Sequence, residues 1–390
     1  MFRNTSFDAC LSNSERAYFK SRKKKERRKI VKFFETKAVK MNAEPLRLRL
    51  IKSDIPEDFK RHLFAILADE MSDKNVNLVR TTLRLPFGRY SSIQESIDTP
   101  FKFLSNAESI MEKHITGHAT AKREVLSILA QWWNGTEMPY AIAIEGPPGI
   151  GKTTFVKYAL ATASNRPFST ICLGGASDGS FSRGHGFTYE GARHGRITEA
   201  LMEMNSMDGI MFFDELDKIS DSHRGDEIVN TLIHITDPMQ TEFRDRYFQG
   251  LDIPLNKCIK IFAYNDARRV HPILLDRLKR IKMDVPDVSA KKEIVKKHLI
   301  PRLQQFDEEL DEECIEEIIL HHKENPGLRQ VERSVHEVYA SALMCKQYGS
   351  QKILGISEEP LEKINLKFVK KILENATVET WNAPPPMMFT

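Results

Sequence analysis

The sequence predicts an α/β fold, a parallel sheet flanked by helices, followed by an all-helical domain. Three observations predict it. Between residues 140 and 285, short apolar runs alternate with helical patterns, as strand–helix–strand units with both sheet faces covered do. The run Gly146-Pro147-Pro148-Gly149-Ile150-Gly151-Lys152-Thr153 fits G-x-x-x-x-G-K-[ST] and lies between one such run and a helical stretch. Beyond Pro286 the strands stop and only amphipathic helical spacing remains.

In chain order, residues 1–44 are polar, basic and poorly patterned, and read as a flexible or partly helical arm. Residues 45–100 read as a small helical subdomain, with Phe59, Leu63, Ile66 and Leu67, then Val76, Val79 and Leu83, at helical spacing, closed by Leu85-Pro86-Phe87-Gly88. Residues 101–286 form the α/β domain. Its helical stretch Ala107–Trp132 is followed by four strands, Ala141–Ile144, Thr170–Leu173, Ile210–Phe213 and Ile259–Tyr264. A helix over Thr154–Ala163 puts Phe155, Tyr158, Ala159 and Thr162 on one face. Residues 287–380 give helices at Ala290–Gln305, Asp311–His322 and Gly327–Tyr348, and 381–390 form a tail with three consecutive prolines.

With 390 residues the chain has room for two or three domains. Apolar content of 41% and charged content of 29% are those of a globular protein, and no run approaches a membrane span. The N-terminus lacks an apolar signal region, so no membrane partner and an intracellular, cytoplasmic home are expected. The five cysteines form no C-x-x-C, which argues against a zinc knuckle and a disulfide framework. The net charge of +4 conceals an asymmetry: residues 16–33 hold ten Lys/Arg against Glu26 alone, and the remainder is mildly acidic. Such a basic run suits a solvated tail, nuclear import, or weak phosphate contact with nucleic acid.

The glycine-rich turn between strand and helix aims backbone N–H groups and a helix N-terminus at one point, where phosphates bind. Lys152 is placed to reach the β/γ-phosphates of a nucleotide, and the Thr153 hydroxyl to ligate Mg²⁺, with Thr154 following in the first helical turn. Ile210–Phe213 runs straight into Asp214 and Glu215, acids at a strand end, as needed for a Mg²⁺ ligand and a water-orienting base. Asn265, ending Ile259–Tyr264, can hydrogen-bond the attacking water or the γ-phosphate. Asp217 and Lys218 read as surface or interface residues.

The chain resembles the ATPase portion of Lon proteases, a branch of the AAA+ superfamily. The resemblance rests on ICLGGASDGSFSRGHGFTYEGARHGRI (171–197), DELDKIS (214–220), RGD (224–226), TDPMQTEFRDRYF (236–248), LLDRLKRI (274–281), KKHLIPR (296–302) and LPFGRYS (85–91), and runs from about residue 45 to about 378. It implies an AAA+ domain using ATP and Mg²⁺, a helical lid, and a homo-oligomeric ring, a hexamer. It implies further that Arg277 is an arginine finger completing a neighbour's site, that Arg329 is the lid's sensor, and that His114–Gly117 lies near the adenine-cradling loop without its usual aromatic. It also implies a hairpin over Phe243–Cys258 and a pore loop gripping polypeptide, with Tyr189 keeping the aromatic and Glu190 replacing the aliphatic. The family's peptidase domain has no counterpart here, so peptide-bond cleavage is not expected. Three functions stay open: ATP-driven unfolding, threading or remodelling of a protein substrate; the ATPase arm of a proteolytic system with a separate peptidase; or a nucleic-acid or assembly-binding module using ATP as a switch.

Overall fold

The computed structural model describes residues 19–22, 25–27, 45–69, 72–91, 99–134, 141–175, 179–187, 191–220, 222–240, 242–303, 310–324, 327–348 and 363–378. Most of the basic arm, and Tyr189 and Glu190 of the expected pore loop, lie outside these residues. The chain divides into two compact units, Met1–Leu83 and Arg84–Thr390.

In the first unit α1 (Leu46–Ile51), α2 (Glu57–Asp69) and α3 (Asp73–Thr82) bury Leu50, Phe59, Leu63, Leu67, Leu78 and Val79. The Ser72 hydroxyl caps α3 by accepting from Asn75 N at 3.3 Å.

The second unit opens with residues 84–91, where Met207 N donates to Arg89 O and Ser91 N donates to Asp208 Oδ1, both at 2.8 Å. Two helices follow, α4 (Pro100–His114) and α5 (Ala119–Trp133), in place of the single stretch expected over 107–132; Gly117, at φ +78°, makes the turn between them. The sheet comprises β1 (Ala141–Glu145), β2 (Phe168–Cys172), β3 (Ile210–Asp214), β6 (Ile259–Tyr264) and β7 (Lys279–Lys282), all parallel, in the order β2-β3-β6-β1-β7. The separate hairpin of β4 (Glu242–Arg244) and β5 (Asp252–Pro254) is antiparallel and begins one residue before the segment expected for it, Phe243–Cys258. The three central strands are buried almost throughout, while the edges β2 and β7 alternate. Strand β7, Lys-Arg-Ile-Lys, buries only Ile281 and was invisible to a search for apolar runs.

The helix after the glycine-rich turn departs from the expected winding. One α-turn, α6 (Lys152–Phe155), passes into a π-helix over Val156–Thr162, with Ala163 N donating to Tyr158 O at 3.2 Å and Thr162 Oγ1 to Lys157 O at 2.8 Å. The wider winding carries Thr162 into solvent, and Phe155, Val156, Ala159 and Leu160 face the core instead. That core is shared by α4, α5, the π segment and one face of the sheet.

Between strands, α7 (Gly179–Arg183) and α8 (Arg196–Met204) follow β2, α9 (His223–Thr236) follows β3, and α10 (Pro272–Asp276) precedes β7. The lid has its own core, built by α11 (Val288–Ile294, continuing in π and 3₁₀ turns to Leu303), α12 (Glu312–His321), α13 (Arg329–Tyr348) and a fourth helix, α14 (Leu366–Val378), that periodicity had not singled out. Among the described residues no helix is long and apolar enough to cross a membrane.

One charge lies inside the sheet. Lys260 of β6 is 4% exposed, its Nζ donates to Leu255 O at 2.5 Å, and burial pulls its pKa from 10.5 to about 8. Below pH 8 the folded chain bears the full cost of a buried ammonium. Between pH 8 and 10.5 the unfolded chain holds the extra proton, so this residue makes stability rise with pH. Lys260→Met is therefore expected to be more stable than the parent at pH 7, with the gap in urea midpoint closing as pH approaches 10; a gap independent of pH would refute the assignment.

Candidate nucleotide site

Strand order brings the C-terminal ends of β1, β6 and β3 side by side, at the edge where open α/β sheets bind ligands. The turn Gly146–Gly151 leaves β1, Asp214 ends β3 with Glu215 next in the chain, and Asn265 directly follows β6. Together with His114–Thr116, His118 and one face of the lid they enclose a cleft of about 500 Å³. Pro148, Gly149, Ile150, Gly151, Lys152, Thr153, Thr154, Asp214, Glu215, Asn265 and Arg329 all line it.

Lys152 is the centre of the arrangement. Its Nζ donates to Gly146 O at 2.7 Å, Pro147 O at 3.0 Å and Asn265 Oδ1 at 2.6 Å. All three acceptors are formally neutral. Burial pulls the Lys152 pKa down, Asp214 and Asp217 oppose that, and Arg329 adds to it. A desolvated cation without a directly bonded carboxylate, beside a second cation, favours an anionic ligand. Thr153 Oγ1 lies 3.4 Å from Asp214 Oδ2, and Asp214 Oδ1 accepts from Glu215 N at 2.9 Å. A hydroxyl and a carboxylate are hard donors that fit Mg²⁺ shared with phosphate oxygens and water. Among the described residues no group of three or more His, Cys, Asp or Glu could hold a metal by itself.

Glu215 has a left-handed backbone, φ +60°, and its Oε2 accepts from Cys172 Sγ at 3.4 Å, at the end of β2. Its carboxylate lies against Gly174, where a methyl group would collide with it. Asp217 corrects the surface reading: it is 3% exposed, and its Oδ2 accepts from Asn265 N at 3.2 Å and Asp266 N at 3.3 Å. Lys218 is exposed and lines the cleft.

The His114–Gly117 stretch, expected near the base, contributes to the cleft together with lid residues that have no role assigned from sequence. The His114 ring stacks on Tyr158 with centroids 4.1 Å apart. The Thr116 hydroxyl pairs with His298 Nε2 at 3.0 Å, tying the α4–α5 turn to the lid, and Arg302 lines the wall nearby. His298 and Arg302 fall in the string KKHLIPR, whose one signal was its resemblance. Arg277 is not brought into the cleft: half-buried, it donates from Nη1 to Ile233 O at 2.6 Å and pairs with Asp237 at 3.3 Å.

The lid meets the glycine-rich turn through backbone. Gly149, at φ +77°, accepts from Leu328 N at 2.9 Å, and its Cα faces Gly327. A methyl group on Gly327 would strike Pro148 O and come within 3.0 Å of Gly149 Cα.

Residues 142–285 match the family described as "ATPase family associated with various cellular activities (AAA)". The chain is similar to the Lon protease homolog of Acanthamoeba polyphaga mimivirus, 33% identical over 258 residues, covering 64% of this chain and 25% of that protein. It is similar also to the Lon protease of Desulfovibrio desulfuricans, 27% identical over 336 residues (82% and 37%). Lon protease homolog 2, peroxisomal, of Pichia angusta is 29% identical over 357 residues (81% and 37%). The chain thus spans between 25% and 37% of the length of these relatives. Among solved structures, the Thermotoga maritima RuvB Holliday junction branch migration motor superposes with a TM-score of 0.43 at 18% identity, covering 67% of this chain and 72% of that one. That likeness is too loose to carry an argument.

Gly327→Ala is expected to push the lid turn off the glycine-rich loop and break the Leu328–Gly149 bond, at the cost of overpacking. Titration with a non-hydrolysable ATP analogue should show about tenfold weaker binding, about 1.4 kcal/mol. Unchanged affinity would mean that the lid contact does not shape the cleft.

Proposed function

The chain carries a Lon-like AAA+ ATPase module, and we propose that it hydrolyses ATP to unfold, thread or remodel a protein substrate. The observation that supports this reading most is the convergence of Lys152, Thr153, Asp214, Glu215 and Asn265 on one cleft from three adjacent strand ends.

In this reading the Gly146–Gly151 backbone and the start of α6 receive the phosphates, and Lys152 exchanges its neutral oxygens for those of the β- and γ-phosphates. Thr153 and Asp214 hold Mg²⁺, which when bound offsets the phosphate charge. Glu215 turns from Cys172 to accept a proton from the attacking water, while the Asn265 carboxamide orients that water or the γ-phosphate. Arg329 reaches in from the lid. Arg277, outside the cleft of its own subunit, acts on the cleft of a neighbour in a ring of six. An arginine supplied in this way is worth roughly 10³–10⁵ in rate.

A second reading has one observation in its favour. The relatives are named as proteases, and this chain matches between 25% and 37% of each. The module would then feed polypeptide to a peptidase.

Purified chain is expected to hydrolyse ATP faster in the presence of an unfolded protein, as a six-subunit particle by light scattering. Glu215→Gln should keep nucleotide affinity and lose at least about 10²-fold in turnover, whereas Lys152→Ala should lose binding itself. Normal turnover by Glu215→Gln would remove that residue from the reaction.

A further inference from the structure

The turn after β3 buries a carboxylate that the mechanism above does not use. Glu215, in its left-handed conformation, starts a 3₁₀ turn over Leu216–Lys218, and this turn drives the Asp217 side chain inward until only 1% of it is exposed. A carboxylate placed there loses its hydration, a cost of several kcal/mol unless it is used. Asp217 is used unevenly. Its Oδ2 accepts both N–H groups that follow β6, those of Asn265 and Asp266, and Lys218 Nζ approaches only to 4.0 Å. Its Oδ1 is buried with no hydrogen-bond partner among the described residues. Asn265 in turn accepts from Lys152 at 2.6 Å. A chain of contacts therefore runs from the β3 turn through the β6 terminus to the lysine of the glycine-rich turn, with Asp217 as its carboxylate.

We propose that Asp217 is a positioning residue of the ATP site, clamping the end of β6 to the end of β3 so that the Asn265 carboxamide is held at the height of Lys152. The clamp acts on the backbone, so it fixes where Asn265 sits without touching the nucleotide. The uncompensated Oδ1 leaves a negative potential inside the sheet edge, and Asp217 is one of two carboxylates that favour the charged form of Lys152. Two features separate this from a capping role. Ordinary caps satisfy helix N–H groups from an exposed side chain, and here the acceptor is buried and serves a strand end. The residue it places is also one that the proposed reaction needs. The proposal rests on the ATPase reading.

The test is a cycle of Asp217→Asn and Asn265→Ala, assayed on the full chain for ATP turnover and for affinity toward a fluorescent ATP analogue. Asparagine keeps the size but replaces a charged acceptor by a neutral one, which weakens both clamp bonds, and puts a buried NH2 where Oδ1 stood. Asp217→Asn is expected to lower kcat about tenfold with KM within about twofold, the pattern of a contact made in the transition state. In the Asn265→Ala background the same change should alter kcat less than about twofold, because the residue being positioned is gone. Full kcat in Asp217→Asn, or an equal loss in both backgrounds, would overturn the proposal. Should Asp217→Asn not fold, amide hydrogen exchange of the unmodified chain decides: Asn265 and Asp266 N–H must be as protected as β6, and loop-like exchange refutes the clamp. If the unmodified chain turns over no ATP, the ATPase reading fails, and exchange protection together with analogue affinity still judges the clamp.

Discussion

The structure of the cleft depends on what is done with one ammonium group. Lys152 is drawn from water at the meeting point of β1 and β6, and the chain supplies three oxygens in place of solvent. Two of them are carbonyls of the turn that carries the lysine, so the loop is wrapped around its own side chain. The third belongs to the neighbouring strand and locks the turn to the sheet. Three neutral oxygens hold the cation without neutralising it, where a directly bonded carboxylate would cancel its charge. Around that centre the geometry follows from strand order: with β1 next to β6 and β6 next to β3, the acids and the amide cannot end anywhere else.

The second constraint is the joint between the sheet domain and the lid. It is made of backbone and small residues where the lid touches the glycine-rich turn, Gly149 against Gly327 and Leu328, and of a hydroxyl–imidazole pair, Thr116 with His298, at the α4–α5 turn. Neither contact contains an ion pair. The joint is therefore close in fit and low in charge, which leaves the cationic Arg329 and Arg302 free to answer to whatever occupies the cleft.

How far the sequence discloses this arrangement varies with the cause. The central strands show as apolar runs, interrupted by Lys260 alone in their interiors, because both faces are covered, and Ala141–Glu145, Ile210–Asp214 and Ile259–Tyr264 fall within a residue of their expected limits. β7 escapes because three of its four residues are Lys or Arg; pairing with β1, not side-chain burial, makes it a strand. The π segment escapes because α and π windings place the same early residues inward and part company only at Thr162. In the cleft, the glycine-rich turn is written out by its backbone needs. Asp217 is not, since an acid two residues after Glu215 looks like a solvated turn until the β6 terminus packs over it. Arg277 and Arg329 were nameable by resemblance alone; nothing in their local spacing separates them from surface charge.

The charged edge strand has a mechanical meaning. Arg277 directly follows the short helix α10 as its C-cap, and β7 begins two residues later. Its ladder with β1 is in continuous register from Ile142↔Lys279 to Glu145↔Lys282, and Met283 N then donates to Glu145 O at 2.8 Å, immediately before the glycine-rich turn. One run of paired backbone thus has the glycine-rich turn at one end and Arg277 at the other. The separation between that turn and Arg277 is therefore set by the length of one run of paired backbone rather than by side-chain contacts.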